Sequence, residues 1–410
     1  MSGGVDSSVT AALLKERGFD VVGVHIKMWG DPSIPCNFKE DRYDAMRVSE
    51  YLKIPFQTWD FTEEYRKAVV EYLIREYAAG RTPNPDVMCN RHIKFGVFLK
   101  RALAEGADFI ATGHYVRLAS ESSFENTLIP PARDSLSIRR GAPITIGDHA
   151  AAPPEGFQKN FPRSHSALLK GIDPNKDQSY FLWTLTQEQL RHCLFPIGEF
   201  TKPEVRELAR KFGLPTAEKK ESQGICFIGE INLTEFLKKH IPMKRGEVVT
   251  TSGKKIGEHD GLAFYTIGQR EGLGSGGGGV PYYVAKKDFK TNTLIVAEGP
   301  YDEKLFCDEV EVADVHWISG AAPKFPLECE ARIRYRQPVQ RCCITLIDAN
   351  VTPNLHELIR ENSWQNSYLI RVTFDEPQRA VTPGQSVVFY KMGSSGSTQD
   401  LEILGGGIIV

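Results

Sequence analysis

Apolar residues arrange the first third of the chain as alternating strands and helices. Val9, Leu13 and Leu14 share one side of a predicted helix over 8–17, which Gly18 ends. The nearly unbroken apolar run 21–26 reads as a strand buried on both faces. Helices are predicted over 41–52, 63–77 and 91–105, and strands over 56–61 and from Asp108 towards His114. This βαβα order predicts an α/β domain on a parallel sheet, with ligands at the carboxyl ends of its strands. Residues 119–167 break the pattern: rich in Ser, Pro, Ala and Gly, they predict a long, partly disordered insertion. A small, mainly helical region follows, with helices over 187–193, 203–212 and 233–240.

Beyond Pro242 the period shortens. Segments 246–250, 282–287, 293–297, 328–335, 342–347, 368–374, 386–390 and 401–404 alternate and are parted by Gly, Asp and Asn. They predict an all-β half of two small, barrel-like domains. The expected division is 1–185 for the α/β domain, 186–240 for the helical region, 241–305 for a central β domain and 306–410 for a C-terminal barrel.

A net charge of −2 over 410 residues means that any nucleic-acid site must be a local patch. No apolar run is long enough to cross a bilayer, and with the loop at Ser2 no secretory or transit segment is expected. The eight cysteines are irregularly spaced without a C-x-x-C pair. That argues against a zinc site or a disulfide framework, and for a reducing compartment with one or two reactive thiols.

Three stretches carry chemistry. Ser2-Gly3-Gly4-Val5-Asp6-Ser7-Ser8 runs straight into a helix. Glycines allow close backbone approach to an anion, serines add donors, and the helix adds its positive end. The stretch lacks the Lys of a Walker loop and the spacing of a dinucleotide fingerprint, and matches the loop of enzymes that split ATP into AMP and pyrophosphate. Asp6 fits a backbone organiser or part of a magnesium site. Met1 stands directly before Ser2, so the strand such a loop normally hangs from is missing; the loop is expected to be weakly held, or its slot filled by another segment.

Cys89, in Asn84-Pro85-Asp86-Val87-Met88-Cys89, precedes a helix predicted from about Asn90. The helix dipole with Arg91 and Lys94 would favour thiolate, and Asp86 stands close enough to accept a proton or orient a substrate. Cys226 lies between apolar residues in a glycine-bounded segment behind Lys219 and Lys220. Either cysteine could equally be structural, and Arg332, Arg334 and Arg336, read as alternating on one strand face with Arg341 nearby, could be a phosphate patch or a solvated charged face.

The stretches SGGVDSS, GRTPNPDVMCNRHIKF, ATGHY, KDQSYFLW, SQGICFIGE, YTIGQREGL, RYRQ, FDEP and VTPGQSVVFY follow one another. In kind and order they resemble the tRNA-specific 2-thiouridylases, over nearly the whole chain. The resemblance implies ATP-dependent 2-thiolation of the wobble uridine of tRNA, with an adenine-nucleotide α-hydrolase-like fold. Ser2, Gly3, Gly4, Val5, Asp6 and Ser7 would hold the ATP phosphates with Mg2+, and Ile26 and Gly113 the adenosine. Asn84, Pro85 and Asp86 would surround the target base, with Asp86 as acid or base. Cys226 would carry a persulfide that Cys89 resolves, leaving a disulfide between them. His114, Lys176, Asp177, Gln178, Arg334, Tyr335 and Gln385 would contact tRNA.

The implied partners are a wobble-uridine tRNA, through its anticodon stem-loop, and a protein persulfide donor, with no membrane and a monomeric enzyme. The low-complexity insertion suggests a mitochondrial member; a bacterial cytoplasmic one is the alternative. Other readings stay open: a nitrogen-transferring ligase with the same loop, an iron–sulfur cluster on Asp86, Cys89 and Cys226, or a catalytically impaired tRNA-binding protein lacking the first strand.

Overall fold

The computed structural model describes residues 1–31, 38–120, 166–220, 233–273, 279–347, 368–393 and 400–410. Cys226 and all but the ends of the predicted insertion lie outside the described residues. Helix α1 (Val5–Glu16) is followed by β1 (Gly23–Lys27), α2 (Phe38–Tyr51) and β2 (Phe56–Asp60), which pairs with β1 in parallel. Helix α3 starts as Thr62–Tyr65, widens to π geometry over Arg66–Val70 and closes as Glu71–Ala78. Helix α4 does the same: Pro85–Met88, a π stretch Cys89–Val97, then Phe98–Ala104.

Strands β3 (Ile110–Ala111), β4 (Val116–Ser120) and β5 (Ser166–Lys170) come next. The ends of the predicted insertion are therefore ordered: β4 and β5 form an antiparallel pair that buries Val116 and Leu168. The predicted helix 187–193 is cut short. Helix α5 is Gln187–Leu190, locked by a capping box of Thr186 and Gln189, and Cys193–Leu194 is a strand, β6, parallel to β3. The helical region thus shares a sheet with the nucleotide domain. Helices α6 (Lys202–Lys211) and α7 (Leu233–His240) complete it.

The central domain is a four-stranded sheet of β7 (Gly246–Thr250), β8 (Lys255–His259), β9 (Tyr282–Asp288) and β10 (Thr293–Glu298), in the order β8-β7-β10-β9. The C-terminal domain is a closed barrel of β11 (Phe306–Trp317), β12 (Leu327–Arg332), β13 (Gln340–Ile347), β14 (Leu369–Arg379), β15 (Ser386–Tyr390) and β16 (Ile403–Ile409). Closure removes the exposed edges that so short a sheet would otherwise present.

The barrel is locked onto the nucleotide domain by the KDQSYFLW segment. Asp177 is buried, pairs with buried Arg332 at 3.3 Å and accepts the backbone N–H groups of Gly171 (3.3 Å) and Ser179 (3.1 Å). Tyr180 donates its hydroxyl to the carbonyls of Ile333 and Ser386, and the Trp183 indole N–H donates to Ser386 Oγ. The Trp183 ring lies over Gly406, where a Cβ would come within 2.8 Å of it, so only glycine fits there.

These contacts overturn the reading of Arg332, Arg334 and Arg336 as one exposed strand face. Strand β12 ends at Arg332, whose guanidinium is spent on Asp177. Arg334 sits in the following turn and donates to Ile267 O, Ala380 O and Thr382 Oγ1. Of the three, Arg336 alone is exposed.

Removing one partner of a buried ion pair strands the other charge. Asp177→Ala is therefore expected to destabilise the chain by about 3 kcal/mol and to lower its thermal midpoint. Calorimetry checks this; an unchanged midpoint would contradict the assignment.

Candidate functional site

The Ser2–Ser8 loop folds as an anion cradle. Gly3 has φ +79°, and a Cβ there would lie 2.2 Å from Asp41 O, so the turn requires glycine twice over. Ser2 Oγ and Ser7 Oγ are 3.0 Å apart, and Ser7 and Ser8 donate their hydroxyls to Gly4 O at 3.1 and 2.9 Å. No side chain caps α1, which leaves its opening N–H groups to an anion. Ahead of the loop, the Met1 amino group donates to Val24 O, and His25 Nδ1 lies 2.9 Å from Met1 O. Ile26 is in β1, paired with Trp59.

Asp6 is an organiser. Its Oδ1 accepts the Tyr115 hydroxyl (2.8 Å) and the Lys202 ammonium (2.7 Å). The sequence reading missed Lys202, a buried lysine at the first position of α6. A cation in the first turn of a helix opposes the macrodipole, and that was its signal. Gly113 touches the loop from the other side: a Cβ there would come within 3.0 Å of Asp6 and of Ser7 N.

The cysteine site starts one turn earlier than predicted. Asn84 is the cap of α4; its Oδ1 accepts the N–H groups of Asp86 (3.1 Å) and Val87 (3.4 Å), and Pro85 occupies the first turn. Cys89 therefore lies in the second turn, buried in the main core and in no disulfide. The dipole argument made for it weakens there, because that effect fades beyond the first turn. The Asp86 side chain is exposed, yet surrounding protein displaces part of its water. This desolvation raises its pKa, and the Lys94 charge works against the rise.

His114 joins the two halves. Its Nδ1 is 2.8 Å from Thr112 Oγ1 and its Nε2 is 3.5 Å from the Lys94 ammonium of α4. A lysine ammonium only donates, so Nε2 accepts and Nδ1 carries the proton. Burial, aided by Lys94, holds the pKa of His114 well below its ordinary value, and the ring is neutral. One short turn, Gly113–His114, thus contacts both the anion loop and the cysteine helix.

The expected tRNA-contacting residues divide. Gln178 is committed through Oε1 to Tyr115 N (3.0 Å), as Asp177 is to Arg332. Gln385 donates to the carbonyls of Thr82 (2.9 Å) and Pro83 (3.3 Å), so the barrel grips the chain just before Asn84. Tyr335 packs on Phe181 with ring centroids 4.6 Å apart, and Phe181 O accepts the Asn90 amide. Lys176 is partly exposed beside them. Cys226 lies outside the described residues, but the chain leading to it is anchored: Lys219 pairs with Asp41 (2.8 Å) and Asp44 (2.6 Å) of α2, next to Gly3.

Residues 1–135 and 156–230 match the family described as the tRNA methyl transferase HUP domain, 234–298 its PRC-barrel domain, and 307–409 the aminomethyltransferase beta-barrel domain. The chain is 42% identical to the tRNA-specific 2-thiouridylase MnmA of Bacillus thuringiensis over 392 residues, covering 95% of this chain and 90% of that protein. It is 43% identical to the protein of that name from Streptococcus mutans over 415 aligned positions, covering 100% of this chain and 93% of that one. These relatives are bacterial and lend no support to the mitochondrial expectation.

The contact of Gly113 with the loop carries a test. Gly113→Ala is expected to weaken binding of ATP by about tenfold, since a 3.0 Å approach to backbone must be relieved by moving the loop. Isothermal titration measures it; unchanged affinity would separate Gly113 from the nucleotide site.

Proposed function

This chain belongs to the tRNA-specific 2-thiouridylases, a family of ATP-dependent tRNA sulfurtransferases, and we propose that it thiolates the wobble uridine by the following division of labour. The single observation that carries the reading is the Gly113–His114 turn, which touches the anion cradle through Gly113 and the cysteine helix through His114. ATP is seated with its phosphates on the Ser2–Ser7 backbone and at the start of α1, and its adenosine towards Ile26 and Gly113. Mg2+ would travel with the phosphates and offset their charge. Asp6 is engaged with Tyr115 and Lys202 and serves to fix the loop.

The uridine is taken from the anticodon loop, where a base is barely stacked and costs little to extrude. Asn84, Pro85 and Asp86 surround it. Its O2 attacks the α-phosphorus of ATP and pyrophosphate leaves, making C2 electrophilic. A persulfide on Cys226 adds its terminal sulfur to C2, and AMP departs with the oxygen. The Cys89 thiolate then attacks the inner sulfur of Cys226. The S–S bond to the transferred sulfur breaks, its electron pair stays with the thiouridine, and a Cys89–Cys226 disulfide remains for an external thiol to reduce. A protein persulfide donor reloads Cys226.

His114 is buried and acts from behind, holding Lys94 through Nε2, while Lys94 and Lys176 supply positive charge to the RNA. Tyr335, held on Phe181, offers an aromatic face to an unstacked base.

Two predictions follow from the roles of Cys89 and Asp86. Cys89→Ser and Cys226→Ser are each expected to lose persulfide-dependent thiolation of tRNA while retaining ATP binding; two variants that both still thiolate would end the two-thiol scheme. Asp86 acts as a base only when deprotonated, and its pKa is raised. The thiolation rate should therefore fall as pH drops through a value above the ordinary carboxylate range, and Asp86→Asn should remove that limb along with most of the rate.

A further inference from the structure

The anion loop carries a charge of the wrong sign. Asp6 stands in the first turn of α1, where a carboxylate suits the helix dipole but repels an incoming phosphate. The fold offsets it at one atom. Asp6 Oδ1 accepts the Lys202 ammonium at 2.7 Å and the Tyr115 hydroxyl at 2.8 Å. Lys202 is buried at the start of α6, and that start is fixed by the Thr201 N–H, which donates to Glu204 at 2.7 Å.

Both donors lead to the same distant loop. The Lys202 backbone N–H donates to Asp173 Oδ2 at 2.8 Å. Asp173 is buried, and its other oxygen accepts the N–H groups of Asn175 (2.8 Å) and Lys176 (3.2 Å). Its carbonyl accepts the N–H of Asp177 at 2.8 Å. Tyr115 is tied to Gln178 in both directions: its N–H donates to Gln178 Oε1 at 3.0 Å, and its carbonyl accepts the Gln178 N–H at 3.1 Å. The loop 173–178 is thus held at its start by Lys202 and at its end by Tyr115, and the side chains of those two residues close on Asp6. A loop and a helix start that share one carboxylate cannot shift independently. Nor can either shift without moving the donors that hold Asp6.

We propose that Lys202 is a positioning residue that couples the two substrates. Through Asp173 it follows the 173–178 loop, and through Asp6 it sets the anion loop, so RNA docked on the first tightens the seat of the nucleotide on the second. Tyr115 works in parallel from Gln178. By linkage, the nucleotide tightens RNA binding by the same factor. The inference rests on the reading that the Ser2–Ser8 loop seats ATP and that Lys176, Asp177 and Gln178 belong to the RNA surface.

Titration calorimetry on the full-length enzyme tests it. The probe is α,β-methylene-ATP, which cannot release pyrophosphate, with and without a saturating wobble-uridine tRNA transcript. Wild type is expected to bind the nucleotide about tenfold tighter when tRNA is present. Lys202→Met keeps the stem and removes the ammonium. In it that ratio is expected to fall below about twofold, whatever the loss of affinity without tRNA. A merely structural role would weaken nucleotide binding equally with and without tRNA and leave the ratio intact. A preserved ratio in Lys202→Met, or a wild-type ratio near one, would overturn the proposal.

If Lys202→Met does not fold, Tyr115→Phe removes a single hydroxyl from the parallel route. A ratio about threefold smaller supports the proposal, and an unchanged one overturns it. Wild-type enzyme that fails to bind either ligand would instead defeat the prior reading, and the proposal with it; normal binding of both without coupling defeats the proposal alone.

Discussion

The site depends on one docking event, the burial of the Lys176–Trp183 segment between the nucleotide domain and the barrel. The Asp177–Arg332 pair at its centre is not in itself a strong source of stability, because desolvating two charges offsets most of their attraction. What it supplies is register. Asp177 also accepts two backbone N–H groups of its own loop, so the loop conformation and the placement of the barrel are fixed by the same carboxylate. Stabilisation comes from the apolar bodies around it. Tyr180 and Trp183 are fully buried, and a large side chain taken wholly out of water contributes roughly 2–3 kcal/mol. Their polar tips end on Ser386 and Ile333 of the barrel, so no buried donor is wasted.

Once the barrel is set, it reaches back to the chemistry. Pro383 O takes the N–H of Thr82, Gln385 holds the next two carbonyls, and Asn84 then caps the helix that carries Cys89. The central domain joins at the same place: Thr266 meets Thr82 at 3.3 Å, and Ile267 O receives Arg334. The YTIGQREGL stretch is thus a wedge touching both other domains. Three domains converge on the few residues before Asn84.

Much of this was legible in the sequence. Anion loop, a helix at the cysteine and the β half are written in local patterns of glycine, proline and alternation, but the Asn84 cap, and with it the true start of that helix, was missed. What was not legible depends on partners distant in sequence. Strand β11 escaped detection because it opens with three exposed positions in a row, Cys307 to Glu309, and because the bulge breaks the alternation at Val312 and Ala313. The Gly405–Gly407 run of β16 reads as a loop until Trp183, Val387 and His316 are seen crowding it. The strand-face reading of Arg332, Arg334 and Arg336 failed for the same reason: alternation describes a strand, and β12 ends before the second arginine. Lys202 was visible only as an oddity of charge at a helix start, and its meaning came from Asp6, 196 residues away.

The central claim is that one site couples cleavage of ATP at the α-phosphate to sulfur transfer onto tRNA. A single-turnover mass balance tests it most directly: enzyme carrying one persulfide, tRNA transcript and radiolabelled ATP, with AMP, pyrophosphate and thiouridine counted together. The account predicts one AMP and one pyrophosphate for each 2-thiouridine, located at the wobble position. Thiouridine formed without AMP, or ATP cleaved to ADP and phosphate in step with thiolation, would contradict it.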